Sequence, residues 1–264
     1  TVEALSIGMG GRLVNVDVTG PVGRKVNAVY GIVDSSKTAI IEMSQAAGIT
    51  LVSGDEKNPL YTTTFGVGEL IKDAINKGCR HFVVGIGGSA TNDCGIGMLQ
   101  ALGYEFLDKE GNQVGFGASG VRDIVTIKDE NVIKELSECY FRVACDVNNP
   151  LCGELGCSAI YGPQKGATKE MVADMDGWLN AYSKIVKEKY PTADSEYPGT
   201  GAAGGLGYAF FNFTNSKLES GIKIILDETK LEEYVKDADI VVTGEGRLDH
   251  QTVMGKAPVG VANI

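Results

Sequence analysis

A chain of 264 residues with 43% hydrophobic and 22% charged side chains can bury a sizeable core, as one large domain or two smaller ones. Its 24 basic and 34 acidic residues leave a net charge of −10 and no dense Lys/Arg cluster, which excludes a phosphate-backbone footprint for nucleic acid. No stretch approaches the roughly 20 apolar residues of a membrane span, and no charged leader precedes an apolar run at the N-terminus.

The first residues, Thr1 to Leu5, read as the inside of a helix without a start signal, and Gly260 to Ile264 stop in a similar apolar pattern. Both ends are therefore expected to be cuts in a longer chain. From Arg12 to Met43 apolar residues alternate through Leu13–Val18, Val26–Val33 and Thr38–Met43. The turn clusters between them, Pro21–Arg24 and Asp34–Lys37, are too brief for crossover helices, so the region predicts an antiparallel meander. Thr62, Thr63 and Thr64 offer caps for a helix running to Lys77, with Leu70, Ile71, Ala74 and Ile75 on one face and Gly78 placed to end it.

A strand over His81–Ile86 then runs into Gly87-Gly88-Ser89-Ala90-Thr91-Asn92-Asp93 and a helix over Ile96–Leu102. This is the strand, glycine loop, helix order that places ligands at strand carboxyl ends. Tyr140–Cys145 runs into Asp146-Val147-Asn148-Asn149-Pro150 in the same manner, and a strand over Asp239–Val242 runs into Thr243-Gly244-Glu245-Gly246-Arg247-Leu248-Asp249. Between them Lys169–Lys189 predicts a helix whose stripe of Met171, Met175, Trp178, Leu179 and Tyr182 belongs in a core. The glycine block Gly199–Gly207 reads as a place of close backbone approach, followed by a helix over Tyr208–Phe213.

The six cysteines (79, 94, 139, 145, 152 and 157) lack the spacing of a disulfide framework and read as reduced, cytosolic thiols. Cys152 and Cys157 look like half a zinc site, but no second Cys/His pair follows at a suitable distance. Neither histidine sits beside a Ser or Cys nucleophile motif, and Ser89 is outside a Gly-x-Ser-x-Gly elbow, which disfavours a Ser-His-Asp hydrolase.

What the chain does supply is the equipment of phosphate chemistry. The loop Gly85–Asp93 offers amides near a helix N-terminus that favour an anion, and Asp93 adds a carboxylate. Asp146, just past an apolar strand, can hold magnesium or substrate, and Lys165 in Tyr161-Gly162-Pro163-Gln164-Lys165-Gly166-Ala167 is a point charge between rigid neighbours. Glu245, Arg247 and Asp249 alternate on one loop and can present two acids and a guanidinium to one site. The bland readings are a tight turn at the glycines, an Asx-turn at Asn148, a solvated turn lysine and a surface ion-pair loop. Neither a Walker loop nor the acidic partner of a dinucleotide fold is present.

Taken together and in order, Val84–Asp93, Asp146–Leu151, Gly162–Ala167, Gly201–Gly207 and Thr243–Asp249 resemble the type-1 glycerate kinase family, and the resemblance covers essentially the whole chain. It implies ATP- and Mg2+-dependent phosphorylation of D-glycerate, with 2-phosphoglycerate as the favoured product. The implied fold is an α/β domain with a mixed sheet and an N-terminal meander, residues 8–225, inserted into a Rossmann-like domain of which residues 1–7 and 226–264 are a part. On this reading Asp146, Asp249, Asp93, Lys165 and Arg247 are catalytic, and Gly87, Gly88, Ser89, Gly204, Gly205, Gly244 and Glu245 bind the nucleotide. Asp93 and Asp146 would be the magnesium ligands. Glycerate would lie between the domains, its carboxylate on Arg247 or Lys165 and its hydroxyl activated by Asp146, Asp93 or Asp249. Position 94 is often glycine in the family and is Cys94 here. A non-catalytic hydroxy-acid effector-binding protein and an NAD-linked dehydrogenase are the alternatives, and self-association stays open.

Overall fold

The computed structural model describes residues 2–244 and 257–264. After a short helix, α1 (Val2–Gly8), the alternating segment forms the meander its pattern predicts: β1 (Arg12–Thr19), β2 (Lys25–Val33) and β3 (Thr38–Glu42), paired antiparallel in that order. Beyond β3 the sheet turns parallel. A short helix, α2 (Ser44–Ala47), and then α3 (Phe65–Asn76) lead to β4 (His81–Gly85), which pairs parallel to β3. The helix α4 (Ile96–Ala101), a small hairpin-like pair β5 (Glu105–Leu107) and β6 (Thr126–Lys128), and the intervening α5 (Gly117–Arg122) bring the chain to β7 (Tyr140–Ala144). The helices α6 (Cys157–Tyr161), α7 (Lys169–Lys189) and α8 (Ala202–Phe213) precede β8 (Ser216–Glu219), and α9 (Gly221–Thr229) and α10 (Leu231–Val235) follow it. A last helix, α11 (Ala257–Ala262), lies against α9.

The six-stranded sheet runs β1-β2-β3-β4-β7-β8, with parallel pairing from β3 onward. Parallel strands are covered on both faces, so they read as nearly continuous apolar runs. In β4, Phe82 and Val84 face the main core while Val83 joins the opposite face with Val2, Leu5, Val33, Ile40 and Ile224. Phe82 pairs in register with Phe141, and their rings stack 4.6 Å apart. Such a contact stabilises by about 0.5–1.5 kcal/mol beyond the area it buries.

The long helix forms over the predicted residues. Thr168 caps it by accepting the Met171 N–H at 3.2 Å, and Met175, Leu179, Tyr182 and Val186 are its buried stripe. Trp178 sits at the margin of that stripe with the Arg122 guanidinium over its ring. The predicted strand Asp239–Val242 is not formed. Ile240 is 82% and Val242 90% exposed, with no ladder partner among the described residues, and a strand persists only where its backbone groups are paired. No described helix is long and apolar enough to cross a membrane.

Candidate active site

The registers Glu42↔Gly85, Gly85↔Ala144 and Ala144↔Glu219 align the carboxyl ends of β3, β4, β7 and β8 along one sheet edge. The loops that leave this edge bring together residues far apart in sequence. Gly87, Gly88 and Ser89 after β4, Cys145 and Asp146 after β7, Tyr161 at the end of α6 with Gln164 and Lys165 beyond it, and Ala202 and Ala203 share one cavity of about 630 Å³. A larger one of about 1060 Å³ adjoins it, walled by Glu42, Asn148, Tyr197, Glu219 and Ser220. The two share Ile86, Gly87 and Ala144 to Val147, so Asp146 stands on their common border.

Lys165 is the cation of the smaller cavity. The turn Pro163–Lys165 ends at Gly166 with φ 95°, where a side chain would meet Lys57 O, and the lysine is directed inward. Only 1% of it is exposed, and its Nζ donates to Thr91 O at 2.6 Å. Burial depresses its pKa to about 8, against the smaller opposing pull of Cys157 and Asp93. An ammonium with one protein acceptor for three donors has hydrogen-bonding capacity left for an anion.

The glycine loop supplies donors. Gly88 O accepts from Ile49 N and Ala90 N donates to Ala47 O, which fixes the loop against α2. The amides of Gly87, Gly88 and Ser89 find no backbone acceptor among the described residues, and Gly87 and Gly88 are exposed to the cavity. The expected proximity of these amides to a helix N-terminus is not what the structure has. The helix α4 starts only at Ile96, with its first turn buried, so the loop amides and Lys165 act without its dipole.

Asp93 does not line either cavity. It is fully buried, its Oδ2 accepting from the amide and hydroxyl of Thr64 at 2.8 Å each and its Oδ1 from the Gly95 amide at 3.1 Å. Burial raises its pKa, and these hydrogen bonds counteract the rise. Asp93 thus ties the glycine loop to the start of α3. Thr64 is drawn into this network instead of capping α3 with its side chain.

Asp146 is exposed, and its Oδ1 accepts the Gly221 N–H at 2.9 Å, at the start of α9. Asn149 is occupied structurally: it accepts from Tyr161 Oη at 2.7 Å and donates to Leu155 O at 2.8 Å. Gly204 and Gly205 are buried. A Cβ on Gly204 would come within 2.0 Å of Thr91 O and one on Gly205 within 2.8 Å of the Cys94 Cα, so the close approach expected of this block is to the glycine loop itself. Gly244 is exposed, and Glu245, Arg247 and Asp249 lie outside the described residues.

The family model described as the glycerate kinase family matches residues 1–264. The chain belongs to the glycerate kinase family. It is 48% identical to a glycerate kinase of Haemophilus influenzae, over 99% of this chain and 69% of that protein. It is 46% identical to the glycerate 2-kinase of Escherichia coli, over the whole chain and 69% of that protein. A crystal structure described as glycerate kinase 2 from Salmonella typhimurium LT2 superposes with a TM-score of 0.95 at 46% identity, covering 100% of this chain and 70% of that one. The protein is therefore an enzyme that acts as a kinase, with a mixed α/β fold, and the dehydrogenase and effector-binding alternatives fall away. Membership of a kinase family implies ATP as co-substrate.

Tyr161, Gln164, Cys145 and Ala203 were not singled out from the sequence, yet they line the kinase's smaller cavity. Three of them carried a signal, since Tyr161 and Gln164 flank Lys165 in one motif and Ala203 interrupts a glycine block. Cys145 carried none beyond its place before Asp146.

Proposed function

We propose that this kinase transfers the γ-phosphoryl group of ATP to D-glycerate, at the 2-hydroxyl, with the acid held in the cavity of Lys165. The observation that carries this reading is the convergence of a buried ammonium, three loop amides without a backbone acceptor among the described residues and an exposed carboxylate on one cavity at the parallel strands' carboxyl ends. The 2-hydroxyl is favoured by the likeness to a protein named glycerate 2-kinase. Residues 8–225 would form a domain inserted into a Rossmann-like one, to which residues 1–7 and 226–264 contribute.

Phosphoryl transfer to a hydroxyl is mainly positioning and charge stabilisation. In the proposed arrangement Lys165 Nζ and the amides of Gly87, Gly88 and Ser89 neutralise and orient the anionic groups. Asp146 accepts the hydroxyl proton; Arg247 stays the alternative holder of the carboxylate and Asp249 the alternative base, and Gly244 and Glu245 bind the nucleotide. Magnesium, when bound, supplies charge neutralisation on the phosphates. Among the described residues no group of three His, Cys, Asp or Glu could hold a metal. Asp146, exposed with only Oδ1 engaged among the described residues, would suit such an ion as a ligand in place of acting as base. Asp93 fits poorly, both oxygens being committed in a closed core.

The test is a coupled assay of ADP release with D-glycerate, L-glycerate and glycolate, followed by phosphorus NMR of the product. D-glycerate is expected to turn over fastest and to yield the 2-phosphate. Asp146→Asn is expected to lower turnover by roughly 10²–10⁴-fold with little change in glycerate affinity. Unchanged turnover in that variant removes Asp146 from the role of base.

A further inference from the structure

Ala203, Gly204 and Gly205 are left-handed in succession, with φ of 53°, 68° and 87°. Gly204 and Gly205 have a steric reason to be glycine, because the glycine loop leaves no room for a Cβ. Ala203 inverts that logic. A left-handed conformation is free for glycine and unfavourable for alanine, and yet the methyl is present in a glycine-rich block, directly before Gly204 and Gly205. From Gly201 to Phe210 it is the one residue that is not buried, and it lines the cavity that holds Lys165, Gly87 and Gly88. Backbone strain that persists on a cavity wall points to a side chain with a function there.

We propose that the Ala203 methyl is a specificity wall of the acid pocket, one that sets the length of hydroxy acid accepted beside Lys165. This rests on the reading that the Lys165 cavity holds glycerate. The wall acts by occupying space: an acid one carbon longer meets the methyl, whereas the three-carbon acid stops short of it. One carbon against an apolar wall changes relative kcat/KM by roughly 10–200-fold.

The test uses the full chain with D-glycerate, glycolate and the four-carbon acid erythronate as acceptors, together with thermal unfolding. Ala203→Gly is expected to raise the kcat/KM ratio of erythronate to glycerate by roughly tenfold or more. Its Tm should stay within a few degrees, since relief of left-handed strain and greater freedom of the unfolded chain oppose each other. Ala203→Ser, which adds an oxygen to the wall, is expected to move preference the other way, toward glycolate. An intact Ala203→Gly whose ratio stays within about twofold overturns the proposal. The underlying reading has its own readout in Lys165→Met, whose KM for glycerate should rise at least roughly tenfold. A normal KM there overturns the site assignment and the wall with it. A raised KM beside an unshifted Ala203→Gly ratio overturns the wall alone.

Discussion

Lys165 carries its charge at a measurable expense in stability. Its native pKa of about 8 lies below the ordinary lysine value of 10.5, so between those values the unfolded chain binds more protons than the native one. Stability therefore rises with pH across that window, and the burial penalty, on the order of 3 kcal/mol, is at full size below it. Lys165→Met should stabilise the fold at pH 7 by about 1–3 kcal/mol in urea titrations, and the gain should shrink as pH rises through 8 toward 10. In the unsubstituted kinase, kcat/KM for glycerate should fall as pH rises through about 8, where the free enzyme's ammonium deprotonates. Asp93 contrasts with it. Asp93→Ala strands the amides of Thr64 and Gly95 inside the core and should cost about 3–5 kcal/mol, whatever it does to turnover. The Lys165 motif announced a point charge for an anion, but neither its burial nor the structural role of Asp93 could be read from the sequence, for the same reason. Lys165 is defined by Thr91 O, 74 positions away, and Asp93 by Thr64, 29 positions away, and neither separation leaves a local pattern.

At the level of elements, what could be read was what repeats. The meander follows from alternation at period 2 and α7 from a stripe at period 3.6, both of which report burial of one face. The left-handed turn before Leu206 could not be read so, because glycine composition shows that unusual backbone is allowed but not what it packs against. That contact is the useful part. Gly204 abuts Thr91 O, the acceptor of the Lys165 ammonium, while the Cys94 N–H donates to Gly204 O at 2.9 Å. Gly204→Ala is expected to destabilise by more than about 2 kcal/mol and to displace Lys165, raising KM for glycerate along with lowering Tm. A variant with normal KM and reduced Tm would show that the two glycine segments are coupled in packing only.

For the molecule as a whole, an acidic chain places the buried ammonium of Lys165 beside the strands' carboxyl ends, which separates net charge from local chemistry. The α9 helix is fastened to this edge at both ends. Asp146 accepts from its first amide, and Arg142 bonds Asp227 at 2.6 Å and Glu228 at 2.9 Å near its last turn while also holding Glu219 at 2.9 Å. Composition pointed to a chain with a sizeable core and the strand, glycine loop, helix order to an α/β one, but the strand order, and hence which loops meet, follows from crossovers that no window of sequence contains.

The change from antiparallel to parallel pairing at β3 has a kinetic consequence. The meander needs only two short turns, so its contacts are local and can form early, whereas β4, β7 and β8 must be recruited across long stretches of chain. Destabilising the turn Pro21–Arg24 should accordingly slow refolding, and Gly204→Ala should chiefly speed unfolding, a contrast visible in the two limbs of a chevron. Gly87, Gly88, Ser89, Asp146 and Lys165 all leave the late-joining strands or the helices between them, so a nascent chain would hold half its sheet before it held these groups of the smaller cavity.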